Sequence, residues 1–116
     1  MVINLENKNI TEIYLSVMSI GILKCIEDGV LDYDDAMSLL YQPFNIDKLE
    51  DKYPELGEAI HLGTELEDVA SIVPEQLEKS IKEIENLNRK LIEKNRKKFK
   101  KDNGENSPIY KMDERY

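Results

Sequence analysis

Apolar residues along this chain recur at intervals of three and four with no sustained alternation, so the elements they predict are helices. Asn9, with Glu12 three residues on, predicts the first helix start. The Asn9 side chain would serve as N-cap and the Glu12 carboxylate would answer it from the third helical position. The helix is expected to run to about Asp28 and to stop at Gly29. Ten of the 14 residues from Ile13 to Ile26 are apolar, so it has hardly any polar face and is expected to be covered on most sides. Gly21 in its middle costs about 1 kcal/mol relative to Ala. Close approach of a neighbouring helix is the expected compensation, and Gly21→Leu is therefore expected to harm the fold more than Gly57→Leu.

Asp32 and Asp35 flank a second start, where carboxylates favour the positive helix end. This helix carries Ala36, Leu39 and Leu40 on one face and ends before Pro43. Asp47 and Glu50 mark a short third segment with Ile46, Leu49 and Tyr53 turned inward. Pro54 suits the first turn of the next helix, whose apolar positions include Leu56, Ile60, Leu66, Val69 and Val73. Gly63 and Thr64, with Glu67 as the far side of a second capping box, either divide that stretch or leave it continuous. Pro74 opens the last and longest helix, in which Leu77, Ile81, Ile84 and Leu91 form a stripe that Leu87 and Ile92 widen. Asn88 falls at a core-type position of that stripe. It either fixes the register of a coiled coil, which would make the chain a homodimer, or lies at the helix edge with Leu87 facing inward. The run from Asp102 to Pro108 is rich in turn formers. The fold expected is all-α, a compact bundle of four to five helices over residues 1–101 with a flexible tail over 102–116.

Composition narrows this picture. A chain of 116 residues fits one core. With no Trp and two Phe, that core is built from Ile, Leu, Val and Met. The single Cys25 cannot form an intramolecular disulfide, so a reducing, cytoplasmic setting is expected, and its place in an apolar helix suits packing. Residues 1–6 lack the basic start of a secretory signal. The window from Ile13 to Ile26 contains Ser16, Ser19 and Lys24 and falls short of the ~20 apolar residues of a spanning helix, so no membrane crossing is expected. The net charge of −8 is uneven. Residues 1–88 hold 6 Lys and Arg against 19 Asp and Glu, whereas residues 89–101 hold 8 against Glu93 alone.

Three constellations bear on chemistry. Glu58 and His61 have the Glu-x-x-His spacing of di-iron bundles, but that site needs two histidines and His61 is the only one. Ordinary helical pairing of His61 with Glu58 and Glu65 is the simpler expectation. Glu55-x-x-Glu58 and Glu65-x-x-Asp68 resemble the carboxylate pairs of all-α nucleotide pyrophosphatases related to MazG, which gather four carboxylates around Mg²⁺. Here only six residues separate the pairs, fewer than in that family, and no basic residue lies between Lys52 and Lys79 to hold a triphosphate. The basic stretch from Arg89 to Lys101 suits nucleic-acid phosphates, although the acidic body repels the same polyanion, and Phe99 is its only aromatic residue. Cations also suit a helix C-terminus.

No nucleophile elbow, phosphate-binding glycine loop or zinc-type cysteine spacing is present. The stretches Gly21-Ile22-Leu23-Lys24, Leu40-Tyr41-Gln42-Pro43 and Gly63-Thr64-Glu65-Leu66-Glu67-Asp68-Val69 resemble those of an uncharacterised family of short, acidic, helical bacterial proteins, which implies no activity. In size, acidity and helicity the chain is also similar to immunity proteins that neutralise toxins. The expectation is a non-enzymatic interaction module without metal or cofactor, whose acidic surface steers a protein partner with a basic surface. Glu55, Glu58, Glu65, Glu67 and Asp68 are its expected contacts. A metal-dependent nucleotide hydrolase and nucleic-acid binding through residues 89–101 are the alternatives.

Overall fold

The computed structural model describes residues 2–3, 8–40, 49–101 and 109–111. Helices α1 (Lys8–Glu27), α2 (Tyr33–Leu39), α3 (Pro54–Thr64), α4 (Leu66–Ile72) and α5 (Leu77–Lys101) make up most of them. A helical turn over 49–52 precedes α3, and a 3₁₀ turn, Pro74–Gln76, leads into α5. The all-α expectation holds for the body of the molecule.

Helix α1 starts at Lys8, so Asn9 lies inside it and the expected Asn9–Glu12 capping box does not form. Glu12 is instead drawn into the interior, its side chain 2% exposed. The far end is as expected. Gly29 adopts φ +73°, the left-handed conformation that glycine reaches without strain, and the Val30 amide donates to the Cys25 carbonyl at 2.9 Å. Ile10, Thr11, Glu12, Leu15, Ser16, Ser19, Ile22 and Leu23 are buried. The opposite side is open rather than covered: Val17 is 55% exposed, and a Cβ built on Gly21 would have nothing within 4 Å. By length and composition alone α1 could cross a membrane, yet half of that window is buried inside the molecule. The close approach expected at Gly21 occurs at Gly57, where a Cβ would lie 2.6 Å from Glu50 Cα.

Helix α2 starts where Asp32 and Asp35 mark it, and the two also form a reciprocal cap. The Asp35 amide donates to Asp32 at 2.8 Å and the Asp32 amide to Asp35 at 3.1 Å. Ala36 and Leu40 are buried, but Leu39 points outward at 58% exposure. In a seven-residue helix the buried line passes through positions four apart, and Leu39 falls off it. Leu49 and Tyr53 face inward as expected, and Ile46 lies outside the described residues. Pro54 is the first residue of α3. The chain divides between α3 and α4 at Glu65, without the capping box expected of Thr64 and Glu67. Thr64 Oγ1 donates back to the His61 carbonyl at 2.6 Å instead.

Helix α5 lies antiparallel on α1. Leu15 shares an apolar cluster with Leu91, Leu23 shares another with Ile81 and Ile84, and Ser19 and Asn88 hydrogen-bond between them. The first cluster also gathers Ile22, Ala36, Leu40, Leu49, Tyr53, Leu56 and Ile60, and the second includes Leu66. Asn88 is therefore not at the helix edge; it is 0% exposed and faces α1 of its own chain. Two short strands complete the picture: β1 (Val2–Ile3) pairs antiparallel with β2 (Ile109–Lys111), Val2 opposite Lys111 and Ile3 opposite Ile109. Strands of two and three residues are too short for alternation to be read from sequence, and they place part of the expected tail beside the start of the chain.

Candidate interaction surface

Burial of Leu56, Gly57, Ala59, Ile60 and Gly63 fixes which side of α3 faces inward. Glu55, Glu58 and His61 are left exposed on its outer side. Glu65 at the junction and Glu67 and Asp68 in the first turn of α4 continue the exposed acidic surface. Helix polarity contributes, since Glu55, Glu67 and Asp68 each occupy a first turn, where the macrodipole favours a carboxylate.

The five expected contact residues differ in what surrounds them. Glu55 accepts a hydrogen bond from Lys94 at 3.1 Å. This bond, then the Glu55 charge, holds the Lys94 ammonium above its ordinary value despite some desolvation, with a smaller contribution from Glu12. Glu65 lies 3.4 Å from His61 Nε2, while Glu50 lies 3.2 Å from Nδ1. Glu50, eleven residues from His61, takes the place that helical spacing assigns to Glu58. Glu58, Glu67 and Asp68 form no ion pair among the described residues. Tyr33 borders the patch, its phenol pushed above the ordinary value first by burial and then by the charge of Glu67.

Glu50, Pro54, Glu58, His61 and Leu62 line an open depression of about 360 Å³. Glu50 in this depression and Glu65 outside it approach opposite nitrogens of the His61 ring, so they do not converge on one point. Among the described residues no three His, Cys, Asp or Glu side chains are placed to hold a metal ion. The two carboxylate pairs, Glu55 with Glu58 and Glu65 with Asp68, do lie on successive elements. Glu55 turns to Lys94 and Glu65 to His61, and the four do not gather into one set.

Part of the basic stretch is engaged within the chain: Arg89 reaches Glu85 at 3.3 Å and Lys94 reaches Glu55. Lys90, Arg96 and Lys98 are exposed, and the side chains of residues 97 and 99–101 lie outside the described set. Cys25 is a half-buried free thiol.

The fold and this surface define a small helical protein with an acidic outer face. The chain belongs to the family described as protein of unknown function (DUF3969), whose model matches residues 6–105. No curated protein and no solved structure matches it.

Proposed function

We propose that the protein is a non-enzymatic interaction module of the cytoplasm that engages a basic protein partner through the acidic surface of α3 and α4. One observation carries the reading: Glu58, Glu67 and Asp68 stand exposed without an ion-pair partner among the described residues, next to Glu55, which pairs with Lys94, and Glu65, which faces the His61 ring. Such a field raises the encounter rate with a basic surface and repels polyanions. The partner is therefore a protein with clustered Lys or Arg. Nucleic acids and anionic membrane surfaces, which carry the same negative charge as this surface, are not its targets.

The test is a pull-down from the native host in low salt with two baits, the wild-type protein and Glu58→Lys/Glu67→Lys/Asp68→Lys. A specific basic protein held by the first bait, lost from the second and weakened by salt supports the reading. A partner that binds both baits equally removes the acidic surface from the account. Absence of any specific partner removes the module itself.

A further inference from the structure

Helices α1 and α5 meet along a line that is polar on both sides at matching heights. On α5 the buried positions Ile81, Ile84, Asn88, Leu91 and Asn95 step by 3, 4, 3 and 4, the heptad spacing of a helix seated on one partner helix. On α1, Glu12, Ser19 and Ile26 are seven residues apart. The helices are antiparallel with Ser19 bonded to Asn88, so seven residues along one match seven back along the other. Glu12 then falls level with Asn95, and Ile26 with Ile81. Of these three layers, a heptad apart with the apolar Leu15–Leu91 and Leu23–Ile84 contacts between them, two are polar on both helices and one is apolar on both.

Asn88 is the centre of this seam. Its side-chain amide donates to Ser19 Oγ at 3.2 Å and to the Ile84 carbonyl at 2.9 Å, with the residue wholly buried. Asn95 is 3% exposed and donates to the Leu91 carbonyl at 2.8 Å. Beside them the hydroxyls of Thr11 and Ser16 and one oxygen each of Glu12 and Asn88 have no hydrogen-bond partner among the described residues. Well-packed apolar residues in such places are commonly neutral or more stabilising. The best-attested gain from a buried Asn in a heptad seam is selection of one pairing over others.

We propose that the Ser19–Asn88 layer is a register lock: it holds α5 on α1 at one height and denies the pairings displaced by a heptad. A shift of seven residues sets Asn88 against Ile26 and Asn95 against Ser19 in one direction, and Ile81 against Ser19 and Asn88 against Glu12 in the other, so each shifted register keeps one polar layer where the native one has two. Either shift breaks the bond of Asn88 to Ser19 and opposes polar to apolar in one layer. The same shift moves Lys94 by about 10 Å, out of reach of Glu55, so the lock also fixes which cation neutralises the acidic face. This goes beyond the proposed interaction and does not depend on it.

The test compares wild type with Asn88→Leu by amide NMR spectra, mass in solution and melting temperature. The lock requires that Asn88→Leu melt no lower than wild type while losing its single state. Doubled or broadened α1 and α5 resonances, or a mixture of masses, would show this. The exchanged pair Ser19→Asn/Asn88→Ser, which keeps the layer polar, should restore one set of resonances and one mass. A single state in Asn88→Leu overturns the proposal, as does heterogeneity that persists in the exchanged pair. Should Asn88→Leu fail to fold, Asn88→Val is read by the same criteria.

Discussion

Two glycines in this chain have opposite surroundings, and their substitution should separate them. Gly57 packs against the turn over 49–52 so closely that an added Cβ would strike Glu50 backbone atoms at 2.6–2.8 Å. Gly57→Ala must therefore displace that turn and is expected to lower the urea midpoint. Gly21 is exposed on α1 and meets nothing, so Gly21→Ala should stabilise by roughly 0.4–1 kcal/mol through helix propensity and a less free unfolded chain. Equal shifts in the two midpoints would refute the contrast. This order reverses the one expected from sequence, because a residue count along α1 shows how apolar the helix is and not which of its sides stays open. Titration works at the same scale. Tyr33 ionises later in the folded chain than in the unfolded one, so folding loses stability as pH rises past the ordinary phenol value near 10. Lys94 acts in the same direction: its pairing with Glu55 stabilises below the ordinary lysine value and is lost as pH rises through the raised one. Urea midpoints should fall as pH rises above about 10, and Tyr33→Phe should fall less than wild type over that range. An equal fall would remove Tyr33 from the account.

At the scale of elements, the helix starts show what sequence can and cannot convey. The pair Asp32 and Asp35 lies on the surface, where nothing competes with local hydrogen bonding, and it marks the helix start as expected and also closes a reciprocal cap. The motif Asn9-x-x-Glu12 has the same local credentials, yet Glu12 is pulled inward at the height of Asn95 and the helix begins before Asn9. Local rules hold where the surroundings are water and give way where another helix supplies the environment. Asp32→Ala is accordingly expected to cost ~1 kcal/mol, the usual worth of an N-cap. Asn9→Ala should cost no more than a few tenths, typical of a helical position without such a role. Thermal unfolding of the two variants decides this, and a larger loss at Asn9 would restore it as a cap. The heptad stripe of α5 was legible as spacing alone. Its partner was not, because no pattern in α5 says whether the facing helix belongs to the same chain. The structure answers with Ser19, 69 residues away.

For the whole molecule, the charge division was legible residue by residue, and Glu55, Glu58, Glu65, Glu67 and Asp68 are all exposed. What sequence missed is Glu50, brought to His61 by the packing of the turn over 49–52 on α3. The boundary at residue 101 is open to direct measurement. The residues described as buried lie between Ile10 and Asn95, and the side chains of β1 and β2 are outside the described set. Deleting residues 102–116 removes β2 and leaves β1 without its partner, and a two-stranded ribbon is marginal in isolation. The helical signal and the urea midpoint should therefore stay close to those of the full chain. Ending the chain after Ile84 is a different matter. It removes Asn88, Leu91 and Asn95, deprives Ser19 of its bond, and uncovers the cluster that Leu15 shares with Leu91. The eight residues of α5 that remain fall below the ~12–15 at which even a strong helix former is marginal. Leu91 alone is worth about 1.5–3 kcal/mol when fully buried, against total stabilities of about 5–15 kcal/mol. That truncation should show no cooperative unfolding. If deleting 102–116 proves the more damaging change, the β1–β2 pairing contributes to the core and the domain extends through residue 111.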